Sequence, residues 1–173
     1  SYSMRAGKNA NSAILVQIPR RDFDQGHPLD GFQFQKKLEQ LGYYEGFAAP
    51  AQNIKDYLKH TPSEKLVIQT SYPRSTIMKD MHAFFSDEVN IAMEEGMKQF
   101  DKRIHGWIDQ GIMIGLETRS SSPIKILRND DGSSSTIQGL YPCGEGAGYA
   151  GGIVSSAVDG IKQAENYIAH LNQ

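Results

Sequence analysis

Residues 144–152 read Gly-Glu-Gly-Ala-Gly-Tyr-Ala-Gly-Gly, five glycines in nine positions, set between the apolar stretch GLYPC and a long helical pattern. Glycines at a strand-to-helix turn let the backbone come close to a ligand. The free N–H groups of the helix start, with the helix dipole, favour negative charge there. Gly146, Gly148 and Gly151 satisfy G-x-G-x-x-G, the pattern of dinucleotide-binding units. Such a unit needs a second parallel strand after the helix, carrying an acidic residue about 20 positions on. Only Leu171, Asn172 and Gln173 follow the helical pattern, so the turn is expected to serve a ligand held mainly elsewhere. Glu145 sharpens this, because a carboxylate repels a pyrophosphate but accepts hydrogen bonds from sugar or polyol hydroxyls. The competing reading is a structural turn packed closely on a neighbouring strand.

The rest of the chain alternates strand-like and helical segments, which predicts an α/β chain of mixed α+β character. Ala13 to Ile18 (AILVQI) reads as a strand buried on both faces and closed by Pro19. Leu29, Phe32, Leu38 and Leu41 predict a helix, with Pro28 and Asp30 at its start and Gly42 as its stop. After a Pro-Ala-Gln turn, Ile54, Tyr57 and Leu58 suggest a short helical face. Lys65 to Thr70 reads as another strand. Ser75 and Ser86 are N-cap candidates that predict two consecutive helices. The stripe Ile77, Met81, Phe84, Val89, Met93, Met97 and Phe100 reads as core packing. Residues 111–119, 123–128 and 135–140 predict an antiparallel layer, turned at Asn129-Asp130-Asp131-Gly132. The last helix is expected from about Gly151 to His170, with Ile153, Val154, Ala157, Ile161, Ala164 and Ile168 on one side.

A net charge of −2 gives no footprint for phosphate backbones or anionic membranes, so neither nucleic acid nor membrane is an expected partner. No stretch approaches the ~20 apolar residues of a spanning helix. The single Cys143 rules out an internal disulfide, suits a cytoplasmic setting, and reads as a small buried residue rather than a redox thiol. His27, His60, His82, His105 and His170 show no ligand spacing along the chain, so no metal is expected. No nucleophile elbow is present, which disfavours hydrolysis. Ser1 begins the chain without Met, as expected of a piece of something larger.

GLYPCGEGAGYAGGIVSSAVDGI resembles the carboxy-terminal flavin-contacting stretch of a bacterial family of FAD-dependent dehydrogenases of the two-dinucleotide-binding-fold class. SYSMRAGKNANSAILV, FQKKLEQ, APAQNIKDYL and LETRSSSPIKILR resemble the same family, so the similarity covers essentially the whole chain. The resemblance implies that residues 1–135 are mostly a capping or substrate domain, the first ~12 leaving the FAD domain. Residues 136–173 would be a returning strand-turn-helix of that FAD domain. It implies FAD as cofactor, NADH or NADPH as a candidate co-substrate, and an amino-terminal Rossmann-type domain as the main partner. Gly144, Glu145, Gly146, Gly148, Tyr149, Gly151, Gly152 and Ile153 would contact the flavin, and the helix dipole would stabilise negative charge on its pyrimidine edge.

Arg119 with Ser120, Ser121 and Ser122 is a second polar concentration, at the end of an apolar strand. The resemblance implies a position near the ring or a small-molecule substrate, where Arg119 would pair with a carboxylate. A structural partner such as Glu117 is the alternative. Arg5, Lys8, Asn9 and Asn11 form a third polar group, in a flavin-domain exit or a solvated loop. The expected reaction of the intact protein is hydride transfer involving flavin, and the carboxy-terminal piece alone is expected to be inactive and to self-associate. The rival is a non-catalytic binding or scaffold module with a structural glycine turn.

Overall fold

A computed structural model describes Met4 and residues 6–172. Among these residues the chain forms five α-helices and a small mixed three-stranded sheet. It divides into two compact units. Unit 1 comprises residues 1–22 and 36–118, and unit 2 comprises residues 23–35 and 119–173.

The sheet lies in unit 1, in the order β2–β1–β3. Strand β1 (Ala49–Asn53) pairs in parallel with β2 (Thr76–Met78) and antiparallel with β3 (Ile112–Ile114). The expected turn at Pro50-Ala51-Gln52 is thus the central strand, buried at every position. Pro50 forgoes a ladder N–H, while its carbonyl accepts from Gly115 N (3.1 Å). Gln52 and Asn53 are tolerated inside because their amides are satisfied. Gln52 Nε2 donates to Thr61 O (2.9 Å) and its Oε1 accepts from Met81 N (2.8 Å). Asn53 Nδ2 donates to Lys65 O (2.9 Å) and Asp56 Oδ2 (2.7 Å), and its Oδ1 accepts from Val67 N (2.9 Å). This network holds 61–67 against the sheet without strand pairing, so the strand expected at 65–70 is absent.

Helix α2 (Ile54–Tyr57) follows β1 directly, and α3 (Asp87–Asp101) starts at Ser86, whose Oγ accepts from Val89 N (3.5 Å). Ile54, Tyr57, Met81, Phe84, Met93, Met97 and Met113 form the core, with Val89 packed against it, so most of the expected stripe is internal. Phe100 is instead 43% exposed, stacking edge-on with Trp107 at the start of α4 (Trp107–Gln110). The helix expected after Ser75 is a correction: Thr76–Met78 joins the sheet and Met81–Phe84 makes one 3-10 turn, because edge pairing with β1 takes the backbone first. Ala13–Ile18 is a second correction. It runs extended, with Ile14 and Val16 against the core and Leu15 outward, but no ladder forms there among the described residues.

Helix α1 (Asp30–Leu41) starts in unit 2 and ends in unit 1, stopping at Gly42 as expected. Of the expected antiparallel layer, Ile112–Ile114 forms β3, antiparallel to β1 in unit 1, while in unit 2, among the described residues, the layer shrinks to the bridge of Arg128 with Ser134 around the predicted 129–132 turn. There Gly132 N donates to Asn129 O (3.0 Å) and Asn129 N to Ser133 O (2.8 Å). Helix α5 (Ile153–Leu171) lies where the sequence pattern put it, with the reverse face packed. Ser156, Asp159, Gly160, Gln163 and Asn166 turn inward, while Ile153 is 93% exposed, Ile161 61% and Ile168 56%. No helix among the described residues is long and apolar enough to cross a membrane.

Candidate glycine-turn site

The turn over 144–149 is built by two reverse bonds, Gly148 N to Glu145 O (2.9 Å) and Tyr149 N to Gly144 O (3.1 Å). Gly144 (φ +69) and Gly148 (φ +83) occupy the left-handed region that glycine enters without penalty. A Cβ on Gly148 would also sit 2.5 Å from Ile124 O, so close packing accounts for this glycine. Gly146 and Gly151 differ, because a Cβ on either meets nothing within 4 Å. Neither has a positive φ, so the fold itself does not demand glycine at these two positions.

The turn is anchored from below. Asp159 accepts from Gly144 N (2.8 Å) and from both terminal nitrogens of Arg128 (2.8 and 3.0 Å), while Arg128 also donates to Pro142 O (2.9 Å). The Arg128 hydrogen bonds, then the Gly144 amide, pull the Asp159 carboxyl down to about 2. The Asp159 hydrogen bond, and then its charge, outweigh burial and raise Arg128 above its ordinary value. Arg128 stacks on the Tyr149 ring, its guanidinium carbon 3.6 Å from the centroid, and Lys125 Nζ lies 4.6 Å from the same centroid. Gln163, with its amide oriented to donate to Gly132 O (3.2 Å) and accept from Arg128 Nη1 (3.2 Å), completes the clamp.

Above this clamp the surface is open. Glu145, Gly146, Gly148, Gly151, Gly152 and Ile153 are exposed, and Tyr149 is half-buried. Gly152 caps α5 from an extended conformation, its N–H donating to Ser155 Oγ (3.1 Å), and the first-turn amides that follow lack intrahelical acceptors. The arrangement therefore offers N–H donors and a helix dipole to an anionic or carbonyl-bearing ligand, with Glu145 as an acceptor for hydroxyls.

The second polar group is partly joined to this turn. Ser122 Oγ donates to Gly146 O (3.2 Å) and Ile124 O (2.9 Å). Ser121 O accepts from Gln35 Nε2 (3.3 Å), and Arg119 places its guanidinium carbon 5.8 Å from the Phe32 centroid. Ser120 is exposed. Lys8 and Asn9 instead bind Gln69, at 3.0 and 2.8 Å, within unit 1, and Arg5 lies outside the described residues. Cys143, expected to be buried, is exposed and lines an open groove of about 310 Å³ along α5 with Tyr141, Gln163 and Tyr167. None of Gly144 to Ile153 lines that groove.

One cluster was not legible from spacing. His60, His82 and Glu94 converge in unit 1, with Glu94 Oε1 3.0 Å from His60 Nε2 and 3.3 Å from His82 Nε2. Burial pushes the Glu94 carboxyl up. Hydrogen bonds from His82 and Lys98 and the charge of His60 outweigh it, and Glu94 ends below its ordinary value.

These features define a mixed α+β domain that ends in an exposed glycine turn and an outward apolar helix. The chain belongs to the family described as FAD-dependent protein, C-terminal domain-like, which it matches over residues 1–120. The glycine turn lies beyond that match. The chain is also similar to an uncharacterized protein of Clostridium beijerinckii, with 42% identity over 173 residues, 97% of this chain. The chain spans 32% of the length of that relative.

Proposed function

We propose that this chain forms the carboxy-terminal part of an FAD-dependent oxidoreductase and that its glycine turn is one wall of the flavin site. The observation that carries the reading is the contrast within the turn. Gly148 is needed for packing, whereas Gly146 and Gly151 leave open space, Gly151 directly before the unpaired first-turn amides of α5. Such space lets a ligand reach the backbone. The fit extends to chemistry. Gly151 and Ile153 would direct donors at the electron-rich edge of the ring, while the Gly152 N–H stays on Ser155 Oγ; Glu145 would accept from hydroxyls, and Tyr149 is braced by Arg128. FAD, when bound, supplies hydride acceptance, and the residues here orient it and stabilise negative charge.

The outward apolar face of α5 supports the companion proposal that the returning segment covers an FAD domain supplied by the rest of the protein. A contiguous exposed apolar stripe of this kind marks an interaction surface. The expected domain division, 1–135 capping and 136–173 returning, remains part of the same proposal, as do NADH or NADPH as co-substrate, Arg119 with Ser120 and Ser121 on the substrate side, and a cytoplasmic setting. The test is the absorption spectrum of the purified full-length protein. The oxidised-flavin bands should be present and should bleach on addition of a nicotinamide or substrate reductant. A colourless protein that ignores added FAD rejects the reading in favour of a scaffold module.

A further inference from the structure

The cluster in unit 1 joins three elements far apart in the chain. His60 follows α2, His82 sits in the 3-10 turn after β2, and Glu94 lies on α3. Their ligand atoms all lie within 4.8 Å of one another. Ligands of a tetrahedral zinc ion, at about 2.0–2.1 Å from the metal, are separated by about 3.3 Å, close to the 3.0 and 3.3 Å found from Glu94 Oε1 to the two imidazoles.

The surroundings of His82 give a second, independent argument. Asp80 Oδ1 lies 3.1 Å from His82 Nδ1 and is itself fixed by accepting from His82 N (3.0 Å). A carboxylate there favours the proton on Nδ1, which would leave Nε2 as the ligand atom, the arrangement that supports metal-bound histidines. That nitrogen lies 3.3 Å from Glu94 Oε1, and an ion bound there would take the place of the His82–Glu94 hydrogen bond. The His82 ring is locked by stacking on Tyr57 at 3.9 Å, whose hydroxyl bonds Asn90 Oδ1 (2.8 Å). Asn90 Nδ2 in turn holds His82 O (3.1 Å). Lys98 occupies only the far oxygen of Glu94, Oε2 (3.3 Å). His60, 64% exposed and at φ +53, stacks on His82 at 4.3 Å and is the ligand that must turn about its Cβ–Cγ bond to aim at a shared ion.

We propose that His60, His82 and Glu94 bind one divalent transition-metal ion of the zinc class, with Asp80 orienting His82 and a water completing the shell. Two imidazoles and one carboxylate are a known type of zinc ligand set, and such a set leaves a coordination position open. The ion would pin the loop after α2 and the turn after β2 to α3.

The test uses the full-length protein, stripped with a chelator and titrated with zinc chloride by calorimetry, with X-ray absorption of the loaded form. One saturable equivalent per chain is expected, with a nitrogen and oxygen shell that shows imidazole scattering and no sulfur. Asp80→Asn should weaken zinc binding about ten-fold or more, Glu94→Gln should abolish stoichiometric uptake, and His105→Gln should leave it unchanged. Zinc should raise the melting temperature of the wild type and not that of Glu94→Gln, provided circular dichroism shows the variant folded. An imidazole–carboxylate network with no saturable zinc uptake overturns the proposal. So does uptake that survives both Asp80→Asn and Glu94→Gln, or a shell that contains sulfur.

Discussion

Helices α3 and α5 are both amphipathic, and they bury opposite kinds of face. Helix α3 turns Met93 and Met97 into the core of unit 1 and leaves Glu95 and Lys98 to solvent, as a helix with a core of its own should. Helix α5 packs Ser156, Asp159, Gln163 and Asn166 inward and presents Ile153, Val154, Ile161 and Ile168 outward. The inward face is held by polar bonds to Arg128, Gly144 and Gly132, not by apolar burial. The difference teaches that hydrophobic periodicity reports that a face will be covered without saying by what. In α3 the cover is within the chain. In α5 the apolar face stays exposed among the described residues, and the proposed FAD domain would be its cover.

The comparison should break most visibly at Met97. Met97→Ala empties a fully buried position and should cost about 2–5 kcal/mol in urea unfolding. A smaller loss would mean that α3 is not the core helix described. Next, Gly148→Ala places a methyl against Ile124 O at a left-handed φ and should cost about 1–3 kcal/mol. Gly151→Ala, in open space, should leave stability unchanged, and equal losses at the two glycines would remove the distinction on which the site rests.

Arg128→Ala should cost about 2 kcal/mol, less than the ~3–5 kcal/mol of a fully buried pair, because Arg128 and Asp159 keep some solvent contact. The pH dependence follows from the lowered Asp159 carboxyl. Its stabilising contribution is complete above the ordinary value of 3.8 and is lost as pH falls from there towards about 2. Acid unfolding of Asp159→Asn should therefore be flatter across that window. The smallest effect is expected at Ile161→Ala, within about 0.5 kcal/mol in this chain alone. The same change should reduce self-association of the chain in light scattering, and a strictly monomeric wild-type chain would contradict a free apolar face.

The helices α1, α3 and α5, the Ser86 cap and the 129–132 turn were legible because their signals are local: caps, period and turn residues. The central strand was not. Ala-Pro-Ala-Gln-Asn lacks β-branched residues, and its burial is secured by long-range bonds from Gln52 and Asn53 that no window contains. Conversely, Ala13–Ile18 has a strand's composition and no ladder partner among the described residues. In the site, the glycines were visible as a cluster. Only the structure separates Gly148, whose conformation and packing require glycine, from Gly146 and Gly151, where neither does. The clamp beneath them, Arg128 with Asp159, and the His60, His82 and Glu94 cluster are tertiary pairings with no sequence spacing to announce them.

The most direct trial of the flavin-wall account compares FAD content in the full-length protein and its Gly151→Leu variant, purified identically. One FAD per chain in the wild type, and a folded Gly151→Leu protein with little or none, is the predicted result. Full FAD occupancy with undiminished affinity in Gly151→Leu would contradict it.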